Sequence, residues 1–353
     1  MEQQDMHGEF KVPGGKLVVV DLDVLESRLA NVRVSGDFFL EPDEALGHMS
    51  EALEQLPTDA PISDYENAVE RAAADAVMVG FDPRSIVLAV LRALGHSTSW
   101  ADHSFELVDT GKQHPAMQMA LDEVIARQVG DGRRPPTLRV WEWASNAVII
   151  GSFQSVANEV DLEAAHRHDT TVVRRISGGG AMFVEPGNTI TYSLYVPATL
   201  VEGMSYVDSY EFLDRWVIQA FHDLGVGASY EPINDLVSPG GKIGGAAQKR
   251  LANGTVLHHV TMSYDMDAAK MLDILRIGRE KLSDKGHISA AKRVDPIRSQ
   301  TGLSRNEVVD SMLGSFKARY GLDRVALDET TRAEAQQLAA SKFENPAWLH
   351  RVP

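Results

Sequence analysis

No cysteine occurs anywhere in the 353 residues. Disulfides and thiolate metal sites are closed to such a chain, so its fold must rest on packed apolar side chains. The material is ample, with 44% of residues hydrophobic. A single core seldom serves a chain much beyond about 250–300 residues, and two domains are expected. No apolar run approaches the roughly 20 residues needed to cross a bilayer. The opening MEQQDMHGEF lacks the basic and apolar regions of a signal peptide. A cytoplasmic location without a membrane partner is therefore expected.

Charge narrows the partners. The formal net charge is −16, from 34 basic and 50 acidic residues. Nucleic-acid binding draws on clustered basic side chains, so no nucleic-acid partner is expected. Residues 1–100 hold seven basic and 18 acidic side chains, net −11, which leaves −5 for the remainder. Within that remainder, residues 276–298 gather seven Lys or Arg against three acids. A patch of this kind can steer an anionic ligand or an acidic partner domain.

Hydrophobic periodicity gives a coarse outline. Residues 16–24 alternate as a strand, with Asn31–Phe39 as its partner after a turn near Glu26–Ala30. Residues 42–56 and 64–77, and the run from Ser85, have helical spacing, the last stopped by Gly95. The small polar stretch 95–104 reads as a linker. Beyond it Pro115 opens a helix with Met117, Leu121, Val124 and Ile125 on its inner face, a core-packing pattern. Strands are expected at Thr137–Trp143, Ala147–Gly151, Thr171–Ile176, Thr189–Val196 and Thr255–Tyr264. A helix is expected at 208–224, and helices from Asp267 onward. The class is α+β, largely antiparallel with helices to one side of the sheet.

Two glycine-rich runs carry the chemistry: RRISGGGAMFVEPGNTITYS and, some sixty residues on, GGKIGGAAQKR. Gly178, Gly179 and Gly180 have no Cβ, so the chain there can let a ligand lie against its backbone. Their spacing is not the G-x-G-x-x-G of a dinucleotide fold. Arg174 and Arg175 end a strand-like stretch and bring forked donors suited to phosphate or carboxylate. Lys242 adds a point charge among Gly240, Gly241, Gly244 and Gly245. Such a set suits an acyl-adenylate. Each feature also has a plainer reading: a solvated loop lysine, strand-end arginines, a tight glycine turn, and an Asx turn at Asn234 and Asp235. His258 and His259 are neighbours in a strand and face opposite ways, so they do not share an ion; one of them is expected to line the pocket.

The segments run in a telling order. IGSFQ and NEV (Gly151, Gln154, Asn158, Glu159, Val160) precede RRISGGGAMF through GN, from Arg174 to Asn188. Then come NDLV, KIGGAAQKR, TVLHHVTMSYDMD and KLSDKGHISAAKRV. This series, from about residue 104 to the C-terminus, resembles the lipoate–protein ligase family of the biotin/lipoate ligase superfamily. The stretch HGEFKVPGGKLVVVDLDVLESRLANVRVSGDFFLEP resembles the ligases' accessory domain, which in many relatives follows the catalytic domain. The expected division is an accessory domain at 1–97 and a catalytic domain at 98–353.

That resemblance implies ATP-dependent activation of lipoate to lipoyl-AMP with release of pyrophosphate. Transfer to a lysine of a lipoyl domain would follow, on 2-oxoacid dehydrogenase E2 subunits or the glycine-cleavage H protein. It places Lys242 between the acyl carbonyl and the phosphate. It assigns the adenylate to Arg174, Arg175, Ser177, Gly178, Gly179, Gly180, Asn188, Asn234, Asp235, Gly245, Ala246 and His259, with Mg2+ near Asp235. The segment 281–293 would fold over the adenylate, and Phe153, Ile176, Met182 and Phe183 would line an acyl pocket. Octanoyl and lipoyl transferases of the superfamily proceed through a thioester on cysteine, a route closed here. Alternatives are a cysteine-independent lipoyl or octanoyl transferase and a non-catalytic module that binds lipoyl domains. The GRGRxGR-type loop of the biotin branch is missing. Where many relatives carry a histidine and an aspartate after AVF, this chain has Val184 and Glu185, a departure that bears on acyl specificity.

Overall fold

Leu17–Leu25 (β2) and Arg28–Gly36 (β3) pair antiparallel across a turn in which Glu26 and Ser27 both take positive φ, 52° and 60°. That is the backbone twist a two-residue hairpin demands. The computed structural model describes residues 6–12, 14–231, 233–276 and 296–353. It divides into two units, Met1–Trp100 with Thr199–Met204, and Ala101–Ala198 with Ser205–Pro353.

In the first unit, Met6–Lys11 (β1) adds a third strand to the hairpin. Val18, Val20, Leu22, Leu29, Val32 and Val34 are buried. They belong to one core with the helices Ala45–Leu53 (α1), Ile62–Ala72 (α2) and Pro83–Ala93 (α3). α3 starts in a capping box between Asp82 and Ser85, with Pro83 in its first turn. A Cβ on Gly8 would stand 2.1 Å from the Ala89 carbonyl, so glycine is what lets α3 lie this close to β1. The expected strand 31–39 ends early at Gly36. Phe39–Glu41 (β4) instead pairs with Val77–Val79 (β5), whose first residue the helical spacing had absorbed. Three residues are too few to show a period.

The second unit is built on a nine-stranded sheet. In chain order its strands are Glu106–Asp109 (β6), Lys112–Gln113 (β7), Thr137–Trp143 (β8), Thr189–Pro197 (β12), Ser229–Glu231 (β13), Asp235–Ser238 (β14), Gly241–Arg250 (β15), Thr255–Ser263 (β16) and Asp323–Ala326 (β17). The spatial order is β13-β14-β15-β16-β12-β8-β6-β17, with β7 beside β8. Pairing is antiparallel from β13 to β8 and parallel at β6, β7 and β17. A smaller sheet sets Ala147–Ile150 (β9) between Thr171–Arg174 (β10) and Met182–Val184 (β11).

Three expectations change. Helices cover both faces of the large sheet, not one. Pro115–Gly130 (α4) supplies Asp122 to the face carrying Ser193, Tyr195 and His259, while Tyr206–Asp223 (α5) supplies Asp214 to the face carrying Tyr192 and His258. Successive strand residues point to opposite faces, so the two helices lie on opposite sides. The lysine run is strand rather than loop. Glycine is a poor strand former, but β15 is flanked by β14 and β16, and pairing on both edges overrides propensity. Lastly, the C-terminal helices are interrupted by β17, which pairs parallel with β6. Residues 281–293 lie outside the described residues. Among the described residues, no helix is long and apolar enough to cross a membrane.

Candidate active site

β14 and β15 bring Lys242 and Asp235 together. Lys242 Nζ lies 2.6 Å from Asp235 Oδ1, and the side chains remain 46% and 37% exposed. Asp235 pairs in register with Gly245, and the register shifts between Leu236 and Val237. A Cβ on Gly245 would stand 3.4 Å from the Asp235 carboxylate and 3.5 Å from the Lys242 ammonium, in ordinary contact, so Gly245 lies directly beside the ion pair. Asn234 fixes the strand pair: its Nδ2 donates to the Ala246 carbonyl at 2.6 Å, and its own carbonyl accepts from the Ala246 N–H at 2.8 Å. Ala246 is buried.

The two arginines serve the scaffold. Arg174 is wholly buried, and its guanidinium donates to the carbonyls of Gly151, Ser152, Gln154, Trp348 and Leu349. Arg175 donates to the carbonyls of Ile149, Gly178 and Gly180 and to Ser177 Oγ. Burial pulls its pKa down to about 10, and it stays charged at neutral pH. Forked donors suited to a ligand's oxygens are equally suited to convergent carbonyls, and here they shape the glycine loop.

Within that loop Gly179 takes φ +93°, and its carbonyl would stand 2.1 Å from a Cβ on Gly151. A Cβ on Gly180 would meet nothing within 4 Å. Lys249 Nζ donates to the Ile176 carbonyl at 3.2 Å, tying β15 to the start of the loop. Asn188 acts through its backbone carbonyl, which accepts from the N–H groups of Tyr264 and Asp265. Val184 is core, and Glu185 accepts from Lys270 Nζ at 2.6 Å and from the Asp267 N–H. Of the proposed acyl lining, Ile176 and Phe183 are buried in the core, Met182 is partly buried, and Phe153 is 76% exposed.

A buried polar chain runs beneath the loop. Ser177 Oγ lies 2.6 Å from His259 Nε2, and His259 Nδ1 lies 2.8 Å from Asp122 Oδ2. Asp122 Oδ1 accepts from Arg139, Ser193 and Tyr195. Burial pushes the Asp122 carboxyl up, but Arg139 and the hydrogen bond from His259 outweigh it and hold it below the usual carboxylate range. Burial lowers the His259 pKa, a shift that Asp122 opposes only in part. Hence His259 is neutral at pH 7, with its Nδ1 proton on the Asp122 side. Sequence reading had Ser177 and His259 but missed Asp122, Arg139 and Lys249. The one available signal was an acid within the apolar run MALDEVIA.

Among the described residues no three His, Asp or Glu side chains gather as a metal site. Magnesium commonly takes one or two carboxylates and fills its remaining positions from phosphates and water. Asp235 fits that partial role.

The frame is thus a sheet covered by helices on both faces, with the lysine strand β15 tied to the glycine loop through Lys249. The chain belongs to the lipoyl protein ligase A/B catalytic domain family, whose model matches residues 114–317. It is 26% identical to octanoyltransferase LipM of Halalkalibacterium halodurans over 276 residues, 70% of this chain and 99% of the relative. It is 28% identical to a probable lipoate-protein ligase A of Mycoplasma pneumoniae, covering 69% of this chain and 70% of that one. Its fold matches a bipartite lipoate protein ligase from Thermoplasma acidophilum, described with its E2 lipoyl domain, at TM-score 0.62 and 25% identity, over 71% of this chain and 98% of that one. A lipoate-protein ligase A bound with ATP shares the fold at TM-score 0.61 and 23% identity, over 70% and 98% of the two chains.

Proposed function

We propose that this member of the lipoyl ligase and transferase family is the ATP-dependent ligase. It would join lipoate to AMP with loss of pyrophosphate, then pass the lipoyl group to a lysine of a lipoyl domain on a 2-oxoacid dehydrogenase E2 subunit or a glycine-cleavage H protein. The observation that carries this reading is Lys242 on β15, half exposed beside Asp235, in a chain with no cysteine. Attack of a carboxylate on the α-phosphorus builds negative charge on phosphate oxygens, and a preorganised ammonium stabilises it. The exposed glycine loop is the surface on which the adenylate would lie, and Asp235 with nucleotide phosphates is the donor set for Mg2+, which would screen the triphosphate when bound. Arg174 and Arg175 would act by holding the loop.

The octanoyltransferase relatives favour a second reading, a cysteine-independent octanoyl transfer that needs no ATP. Pyrophosphate release separates them: the ligase needs ATP and a free acid, whereas the transferase moves octanoate from acyl-carrier protein without it. We further assign residues 1–97 as an accessory domain that supports activation. Removing them should reduce lipoyl-AMP formation; undiminished activity would retire the assignment.

A further inference from the structure

The direction of the hydrogen bonds around Ser177 is informative. Asp122 is an acceptor, so His259 Nδ1 must donate to it, and neutral His259 then offers only a lone pair at Nε2. Ser177 must therefore donate its hydroxyl proton to His259 at 2.6 Å. Among the described residues its oxygen receives one bond, from Arg175 Nε at 3.0 Å, which leaves one lone pair. A carboxylate substrate has no use for that lone pair. An amine does.

We propose that Ser177, His259 and Asp122 form a proton relay for the second half-reaction, in which the acceptor lysine attacks the acyl-adenylate. The lysine nitrogen bonds to the acyl carbonyl carbon, the bond from that carbon to the phosphate oxygen breaks, and AMP leaves with its electron pair. The proton lost by the nitrogen passes to Ser177 Oγ as the Ser177 hydroxyl proton moves to His259 Nε2. Asp122, held by Arg139, Ser193 and Tyr195, keeps the tautomer and steadies the imidazolium. The proton then returns to solvent. Ser177 is the catalytic residue of the three, and His259 and Asp122 are positioning residues behind it.

The surroundings suit this role. Ser177 is itself buried, but Gly178 after it is half-buried and Gly179 and Gly180 are exposed, so no following side chain stands over it. The groups facing His259 are Asp122 from α4, Arg175 and Ser177 from the loop, and Trp141 from β8, with Arg139 and Tyr195 acting through Asp122. His258, its chain neighbour, turns to the other face and bonds Asp214. The relay rests on reading this site as one of acyl transfer to an amine.

The test supplies synthetic lipoyl-AMP and an isolated lipoyl domain to the full chain, which bypasses activation, and measures pyrophosphate release from ATP and lipoate separately. S177A should slow transfer by about 100-fold or more, and by at least about tenfold more than it slows pyrophosphate release, so that the ratio of the two half-reactions separates the relay from a shared loss of adenylate binding. Both proteins should gain rate with pH as the acceptor lysine loses its proton, but wild type should fall more steeply than S177A below the His259 pKa, which lies under 6.5, because the relay also needs a neutral imidazole. D122N, which forces the other tautomer, should follow S177A; if it fails to fold, S177A still decides, since it leaves the bonds of Asp122 to Arg139 and Tyr195 intact. Transfer by S177A within about threefold of wild type, or superimposed pH profiles with both half-reactions slowed alike, would overturn the relay. A wild type that transfers from lipoyl-AMP but releases no pyrophosphate would retire the ligase reading alone.

Discussion

Lys242 Nζ and Asp235 Oδ1 stand 2.6 Å apart across β14 and β15, and both side chains are more than a third exposed. A pair so open contributes at most about 1 kcal/mol to stability. In the proposed ligase its value would lie in holding a cation ready, with a short neutralising contact that an anionic ligand can exchange.

K242A should therefore slow adenylate formation by about 100- to 1,000-fold, the usual cost of removing one preorganised charge-stabilising donor. Its thermal midpoint should stay within a few degrees of wild type. Paired single-turnover and calorimetric measurements would check both; a folded variant with normal turnover would remove Lys242 from the chemistry.

The glycines divide by what their missing Cβ would touch. G180A meets nothing within 4 Å, so it should keep wild-type stability yet weaken binding of lipoyl-AMP by about tenfold if the adenylate lies against the loop. G151A would put a Cβ 2.1 Å from the Gly179 carbonyl and should lose about 1–3 kcal/mol as the loop shifts. Calorimetry with titration of a non-hydrolysable adenylate analogue distinguishes the two outcomes.

Arg174 makes the opposite prediction to Lys242. R174M leaves the carbonyls of Ser152, Gln154 and Leu349 without a donor among the described residues, takes one of two donors from Gly151, and releases the C-terminal turn at Trp348. Each unmet buried acceptor costs about 1–3 kcal/mol, so a loss of at least about 3 kcal/mol is expected in denaturant unfolding. A stable R174M that fails only in catalysis would mean that the arginine serves the ligand directly.

Much of this was legible in the sequence, and the gaps have physical causes. Lys242 stood out because glycines surround it. That the same run is a strand could not be read, since neighbouring strands impose the conformation against glycine's own preference. Arg174 and Arg175 were found as fixed charge beside a glycine loop, but Arg174 bonds carbonyls just past β9 and in the C-terminal turn, and Arg175 bonds Ile149 of β9 and the loop itself. Asp122 looked like a polar interruption in a core helix. Its bonds to His259, 137 residues away, exist only once α4 lies on the sheet.

Acid should loosen the second unit through that contact. His259 has a folded pKa below its unfolded value near 6.5, so between those values the unfolded chain binds more protons and stability rises with pH. Its contribution is present above about pH 6.5 and is lost as pH falls toward the folded pKa. Asp122, also depressed, adds a further loss as pH falls below its unfolded value of 3.8 toward its folded pKa. Denaturant midpoints measured between about pH 7 and 5 should fall for wild type and fall less for H259Q. Parallel curves for the two proteins would show that His259 is not responsible.

The most direct measurement follows purified protein with ATP, Mg2+ and lipoate, without acceptor, by mass spectrometry and pyrophosphate assay. Wild type should hold lipoyl-AMP with one pyrophosphate released for each, and K242A should form both at least about 100-fold more slowly, as the ligase assignment requires. Absence of lipoyl-AMP and pyrophosphate, together with ATP-independent transfer of octanoate from acyl-carrier protein to a lipoyl domain, would contradict it.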